Sequence, residues 1–102
     1  MKYKVELLIE AENEFAGLNK SQQVKVAKQL IKLETNPFAG NPLGRKYNIN
    51  LTGYFKLYAD RKKIRIVYTV FKEIILIKVI SIGKRESLAA YKKAALRILK
   101  GE

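Results

Sequence analysis

Apolar residues recur with two different periods along this chain. Tyr3, Val5, Leu7 and Ile9 fall on every second position and predict a strand over Tyr3–Ile9. Ala11, Phe15 and Leu18 then share one stripe, which predicts a short helix over Glu10–Leu18. After the break at Asn19-Lys20, Ser21 is placed to cap a second helix running to about Glu34. Its inward set is read as Val24, Ala27, Leu30 and Ile31, with Lys25, Lys28 and Lys32 outward. Asn36-Pro37 stops it, and so short a link makes the two helices an antiparallel hairpin. Residues Asn36–Gly53 carry Pro37, Gly40, Pro42, Gly44 and Gly53, so they read as loop, with a short turn of helix around Pro42–Arg45. Three strands follow: Tyr54–Tyr58, Ile64–Phe71 and the nearly unbroken apolar run Ile74–Ile82, the last two joined by a tight hairpin at Lys72-Glu73. A final helix over Ser87–Leu99, capped by Ser87, carries Leu88, Tyr91, Ala95 and Ile98 on one stripe and ends at Gly101. The order β-α-α-β-β-β-α predicts an α+β fold, an antiparallel sheet packed by an N-terminal helical hairpin and a C-terminal helix.

Composition narrows the function classes. A chain of 102 residues, 48% hydrophobic, is expected to be one domain over residues 1–102 with a single core. Its 21 Lys and Arg against 9 Asp and Glu give +12. Such a charge costs stability by self-repulsion and points to an anionic partner, namely nucleic acid, an acidic protein or an anionic membrane. The charge is uneven: residues 1–53 carry a net +3 and residues 54–102 a net +9, so the partner is expected to meet the C-terminal half. With no cysteine, disulfides and thiolate metal sites are excluded and the cytoplasm is the expected compartment. The absence of histidine removes the usual neutral-pH base, the Ser-His pair and nearly every catalytic zinc site. No apolar run approaches the roughly 18 residues of a membrane span, and Met1-Lys2-Tyr3-Lys4-Val5 lacks a signal-peptide apolar region.

The cations have readable directions. Lys56 shares a strand face with Tyr54 and Tyr58, while Phe55 and Leu57 face the other way. Arg65 points opposite to Ile64, Ile66, Tyr68 and Val70. If the loop around Asp60-Arg61 has even length, Lys56 and Arg65 fall on the same exposed face, and charge burial selects that register. The run Val79-Ile80-Ser81-Ile82 ends in Gly83-Lys84-Arg85-Glu86, so two cations surface where a buried strand stops. Lys56, Arg65, Arg85 and Tyr91 are thus expected to converge on one concave patch, cations for a phosphodiester and a ring for a stacked base. Each also has a plain structural reading. Lys56 or Arg65 alone suits a solvated strand face, Tyr91 a core-edge aromatic, and Lys92, Lys93 and Arg97 a solvated helix face. The residues by themselves lead to a basic α+β domain that binds something anionic.

Tyr54-Phe55-Lys56-Leu57, Ile64-Arg65-Ile66-Val67-Tyr68, Val79-Ile80-Ser81-Ile82-Gly83-Lys84-Arg85-Glu86 and then Tyr91 resemble the RelE toxins of toxin–antitoxin pairs. The likeness is strong over residues 47–99 and rests on element order, size and charge before that. It implies a cytoplasmic endoribonuclease that cuts messenger RNA in the ribosomal A site and is neutralised by an acidic antitoxin. The reaction is attack of a ribose 2′-hydroxyl on the adjacent phosphate, which needs neither metal nor cofactor. The resemblance assigns Lys56 to the 2′-hydroxyl, Arg65 to the transition state, Arg85 to the phosphate near the leaving oxygen and Tyr91 to stacking. One position departs: the family's second lysine falls on Tyr58. A phenol of ordinary pKa is a poor base at pH 7, about three units too high. Either neighbouring charge lowers it, or Lys62 or Lys63 reaches in from the loop, or the chain uses another base; Tyr58, Lys62, Lys63 and Lys84 are therefore auxiliary candidates. Two alternatives compete: a ParE-like toxin that inhibits DNA gyrase without cutting RNA, and a basic nucleic-acid-binding module without catalysis. ParE-like chains lack the lysine–arginine–tyrosine set, and simple electrostatic binding gives no reason for a Gly-Lys-Arg corner at the end of a buried strand.

Overall fold

The computed structural model describes residues 2–46, 49–84 and 89–99. The order is β1 (Lys4–Leu7), α1 (Ile9–Ala16), α2 (Lys20–Thr35), β2 (Asn41–Lys46), β3 (Ile49–Ala59), β4 (Ile64–Phe71), β5 (Leu76–Lys84) and α3 (Ala89–Leu99). The five strands form one sheet in the order β1-β5-β4-β3-β2. The α+β class and the helical hairpin stand as expected. The sheet has one strand more than the pattern predicts, and β1 runs parallel to β5, so it is mixed.

The extra strand is β2, where a helical turn was expected around Pro42–Arg45. Proline lacks a ladder donor and glycine weakens a strand, so Asn41-Pro42-Leu43-Gly44 reads as loop. It becomes a strand because it lies at the sheet's edge, where only one side needs hydrogen bonds. Pro42 pairs with Phe55, and the register shifts between Pro42 and Gly44, whose φ of 60° accommodates the bulge. The β4–β5 connection also differs from the tight hairpin expected at Lys72-Glu73. Lys72–Ile74 form a single 3₁₀ turn, and Ile75 follows in left-handed conformation before β5 starts at Leu76.

Three corrections concern the helical hairpin. Ile9 opens α1 instead of closing β1. Asn19, not Ser21, caps α2: its side chain accepts from the Gln22 N–H at 2.8 Å. The inward face of α2 is Gln22, Val26, Gln29 and Leu33, with Val26 and Leu33 fully buried. Leu30 packs against the core as expected, whereas Val24 is 50% exposed and Ile31 61%, so the inward stripe is shifted toward Val26 and Leu33. The glutamines turn inward because each meets a polar group of the β3–β4 region, Gln22 the Asp60 carboxylate and Gln29 the Tyr58 carbonyl.

The core lies between the helical hairpin and the sheet face carrying Ala59, Ile64, Ile66, Tyr68 and Ile82. Each such large side chain contributes about 1.5–3 kcal/mol by leaving water. Val67 and Ser81 are paired on the opposite face and are also fully buried. α3 lies against β3, β4 and β5 and places Ala94 in the core. Arg97, expected on the solvated face of this helix, is buried and ion-paired to Glu14. No helix among the described residues is long and apolar enough to cross a membrane.

Candidate active site

The site begins with a register. β3 and β4 pair antiparallel with Lys56 opposite Val67, Leu57 opposite Ile66 and Tyr58 opposite Arg65. Direct partners share a face, so Lys56, Tyr58 and Arg65 lie together on one side of the sheet, with Phe55, Leu57, Ile64 and Ile66 on the other. The four residues between the paired ends, Ala59 and Ile64, make the even-length connection that this arrangement needs. The face is less open than expected around Arg65, which is only 8% exposed. The central strand β4 is covered on both sides over most of its length.

Tyr58 sits between the two cations. Lys56 Nζ is 5.4 Å from its ring centroid and Arg65 Cζ is 5.9 Å away. Burial pushes the phenol up, but hydrogen bonding and positive charge from Lys56 and Arg65 outweigh it and lower its pKa to about 8. Tyr58 is thus a phenol whose ionisation the two neighbouring cations draw toward neutral pH.

Below this cluster the outer edge of β3 has no strand beside it among the described residues, because β2 begins only where Asn41 meets Lys56. A groove of about 330 Å³ follows that edge, lined by Gln29, Gly40, Asn41, Lys56, Tyr58 and Lys62 among others. Gln29 Nε2 donates to the Tyr58 carbonyl at 3.0 Å and takes the place of a missing strand. Gly40 is required by close approach: a Cβ there would lie 2.5 Å from the Lys56 carbonyl and 2.7 Å from the Tyr68 hydroxyl. That hydroxyl accepts from the Gly40 N–H at 2.9 Å and donates to the Pro37 carbonyl at 3.0 Å, so a buried phenol holds the segment before β2 against Lys56.

The loop after Tyr58 is held from α2. Asp60 accepts from Lys25 Nζ at 3.0 Å and from Gln22 Nε2 at 3.1 Å. These contacts keep its carboxyl below the ordinary aspartate value. Asp60, Arg61 and Lys62 are all left-handed, with φ of 52°, 54° and 66°, and the Lys63 N–H closes the turn on the Asp60 carbonyl at 3.0 Å. Three successive non-glycine residues in that region are costly, and the contacts from α2 anchor the first of them, Asp60. A second groove of about 520 Å³, lined by Lys25, Lys28, Gln29, Lys32, Asp60 and Arg61, adjoins the first.

The sequence candidates therefore separate. Lys56, Arg65 and Tyr58 come together, and Lys62 lines the adjoining groove, while Lys63 is exposed at the end of the turn. Lys84 pairs with Ile64 and so falls on the other face from Arg65, apart from the cluster. Gly83 stands opposite Arg65, and Arg85 follows two positions later. Arg85, Glu86, Ser87 and Leu88 lie outside the described residues, as does the side chain of Tyr91. Gln29, Gly40 and Asn41 were not singled out from the sequence. A glutamine on a helix and a glycine in a loop carry no local mark of what they approach.

No protein-family model matches the chain. It is 31% identical over 98 residues to an Escherichia coli protein described as a RelE-like toxin, covering 96% of this chain and 99% of that one. A mutant of the E. coli toxin RelE in the free state superposes with a TM-score of 0.78 at 26% identity, covering 96% of this chain and 99% of that chain. A mutant of the same toxin in complex with an antitoxin RelB peptide gives 0.69, also at 26% identity, over 92% of this chain and 95% of the other.

Proposed function

The chain belongs to the RelE family of toxins, and from that membership we propose that it is the toxin of a type II toxin–antitoxin pair, one domain over residues 1–102. In this reading it acts in the cytoplasm and cuts messenger RNA in the A site of a translating ribosome. The observation that carries the reading is the β3–β4 register, which fixes Lys56, Tyr58 and Arg65 on one sheet face beside a groove. Strand-borne cations hold position better than loop-borne ones, and that suits stabilisation of a short-lived anion.

The reaction is an internal transfer. The ribose 2′-oxygen bonds to phosphorus, the bond from phosphorus to the 5′-oxygen breaks, and a 2′,3′-cyclic phosphate and a 5′-hydroxyl result. Lys56 positions the 2′-hydroxyl, and Arg65 neutralises charge on the pentacovalent phosphorane. Arg85 takes the phosphate near the leaving oxygen, and Tyr91 stacks on a base. No step needs a metal or a cofactor.

The partner in this reading is an acidic antitoxin. A structure of E. coli RelE in complex with an antitoxin RelB peptide supports the pairing. An apolar groove of about 300 Å³ between α1, α2 and β1, lined by Val5, Leu7, Phe15, Leu30 and Ile31, offers it a helix or strand seat. Ile31, which is 61% exposed, lines that groove and would be covered by such a seat.

The test is translation of a defined message with added protein and mapping of the new 5′ ends. Cleavage within the A-site codon is expected, and Arg65→Ala lowers the rate on the order of 10²-fold. Intact message under conditions where E. coli RelE cuts, together with gyrase inhibition, would replace this reading with the ParE-like one.

A further inference from the structure

We propose that the phenol oxygen of Tyr58 is the general base that takes the proton from the attacking 2′-hydroxyl. The inference rests on the ribonuclease reading above and assigns the step that reading leaves without an acceptor. Lys56 and Arg65 flank the Tyr58 ring, and each can donate hydrogen bonds to a phosphate.

Geometry favours Tyr58 for that step. It stands directly opposite Arg65 in the ladder and two residues from Lys56 on the same face, and it lines the groove. The groups around it are few among the described residues. Lys56 approaches from its own strand and Arg65 from β4. Asp60, Arg61 and Lys62 come from the following turn, and α2 contributes the uncharged Gln29. Asp60 is the only carboxylate of this set. It is engaged by Lys25 and Gln22, whose hydrogen bonds hold its carboxyl below the ordinary aspartate value. The phenol is the remaining titratable oxygen. With its pKa lowered to about 8, about one molecule in ten carries phenolate at pH 7, against about one in a thousand for an ordinary tyrosine.

The protons balance. The phenolate oxygen takes the 2′-hydroxyl proton as the 2′-oxygen closes on phosphorus. The departing 5′-oxygen takes a proton from water at the open side of the groove. The Tyr58 phenol then returns its proton to solvent, and the protein ends unchanged. Lys56 and Arg65 serve twice in this scheme: they favour the phenolate before reaction and meet the negative charge on the phosphorane during it.

The experiment compares wild type, Tyr58→Phe and Tyr58→His in single-turnover cleavage of a ribosome-bound message from pH 6 to pH 9. Circular dichroism and binding of the antitoxin serve as folding controls. Wild-type rate is expected to rise with unit slope and level off near pH 8. Tyr58→Phe is expected to lose 10²-fold or more and to lose that inflection. Tyr58→His restores part of the rate with the inflection moved to about 6.5, the ordinary histidine value. An ultraviolet difference titration of wild type against Tyr58→Phe, which needs no ribosome, should show one phenol ionising near pH 8. Equal rates and equal pH profiles for wild type and Tyr58→Phe, or ionisation of that phenol near pH 10, overturn the assignment while the ribonuclease reading stands. No cleavage by wild type at any pH overturns both.

Discussion

Glu14 and Arg97 form a two-pronged ion pair that stands in for a strand. β1 stops at Leu7, opposite Val79, so the next polar groups on that edge of β5 meet side chains instead. Glu14 Oε1 accepts from the Ile82 N–H at 3.0 Å, and Arg97 Nη1 donates to the Ile80 carbonyl. The two side chains also grip each other, Nη1 to Oε1 at 3.1 Å and Nη2 to Oε2 at 3.3 Å. The pair thus joins α1, α3 and the strand that leads to the Gly83 corner.

Removing Arg97 takes that partner from Glu14 and leaves the Ile80 carbonyl without this donor, and removing the Glu14 carboxylate does the same to Arg97 and the Ile82 N–H. Breaking a buried pair costs about 3–5 kcal/mol, and with both side chains mostly buried Arg97→Ala should reach about 3 kcal/mol. For a domain of this size that lowers Tm by more than about 10 °C. Calorimetry of Arg97→Ala and Glu14→Gln checks it; a drop under about 2 °C would mean the edge is closed by something else.

Tyr68→Phe removes the acceptor of the buried Gly40 N–H and the donor to the Pro37 carbonyl. The expected cost is about 1–3 kcal/mol by urea denaturation. Because the Gly40 segment lies against Lys56, cleavage should fall more than the decrease in folded protein accounts for. Unchanged cleavage per folded molecule would separate the loop from the site.

Asp60 makes stability depend on pH on the acid side. Its carboxyl is held below the ordinary value by Lys25 and Gln22. A carboxylate depressed in the folded state stabilises above its unfolded pKa and loses that contribution as pH falls through the folded one. Denaturation midpoints of wild type and Asp60→Asn should therefore differ at pH 6 and converge below about pH 4. A constant difference across that range would place the effect elsewhere.

Lys28 and Lys32 line the groove that continues from the Tyr58 edge along α2. If ribosomal or messenger RNA follows that path, every phosphate deprived of its lysine lowers the salt dependence of binding by about one. Lys28→Glu with Lys32→Glu should weaken ribosome binding and flatten its salt slope, with Tm nearly unchanged. An unaltered slope would route the RNA over another face.

Much of this was legible in the sequence where periodicity decides it. A strand has period two, so Lys56 and Arg65 could be placed on one face from alternation and an even loop. The α2 face was misread because Gln22 and Gln29 point inward to Asp60 and the Tyr58 carbonyl, partners about 30 to 40 residues away. β2 was missed because proline and glycine are penalised in strands generally but tolerated at an edge and a bulge. Arg97 read as solvent-facing for the same reason as the glutamines: Glu14 is 83 residues distant. No pattern of residue types announces that Tyr58 titrates near pH 8, since that depends on two cations converging in space.

The parallel contact between β1 and β5 also has a kinetic side. Lys4 meets Leu76 across about seventy residues of intervening chain, whereas β2 to β5 follow one another through short connections. Closing short loops first favours assembly of the four-strand meander, with the amino-terminal strand zipping on afterwards. In native-state hydrogen exchange, amides of Lys4–Leu7 should open with far smaller free energy than those of Ile64–Val70, so the molecule carries a built-in order of unravelling.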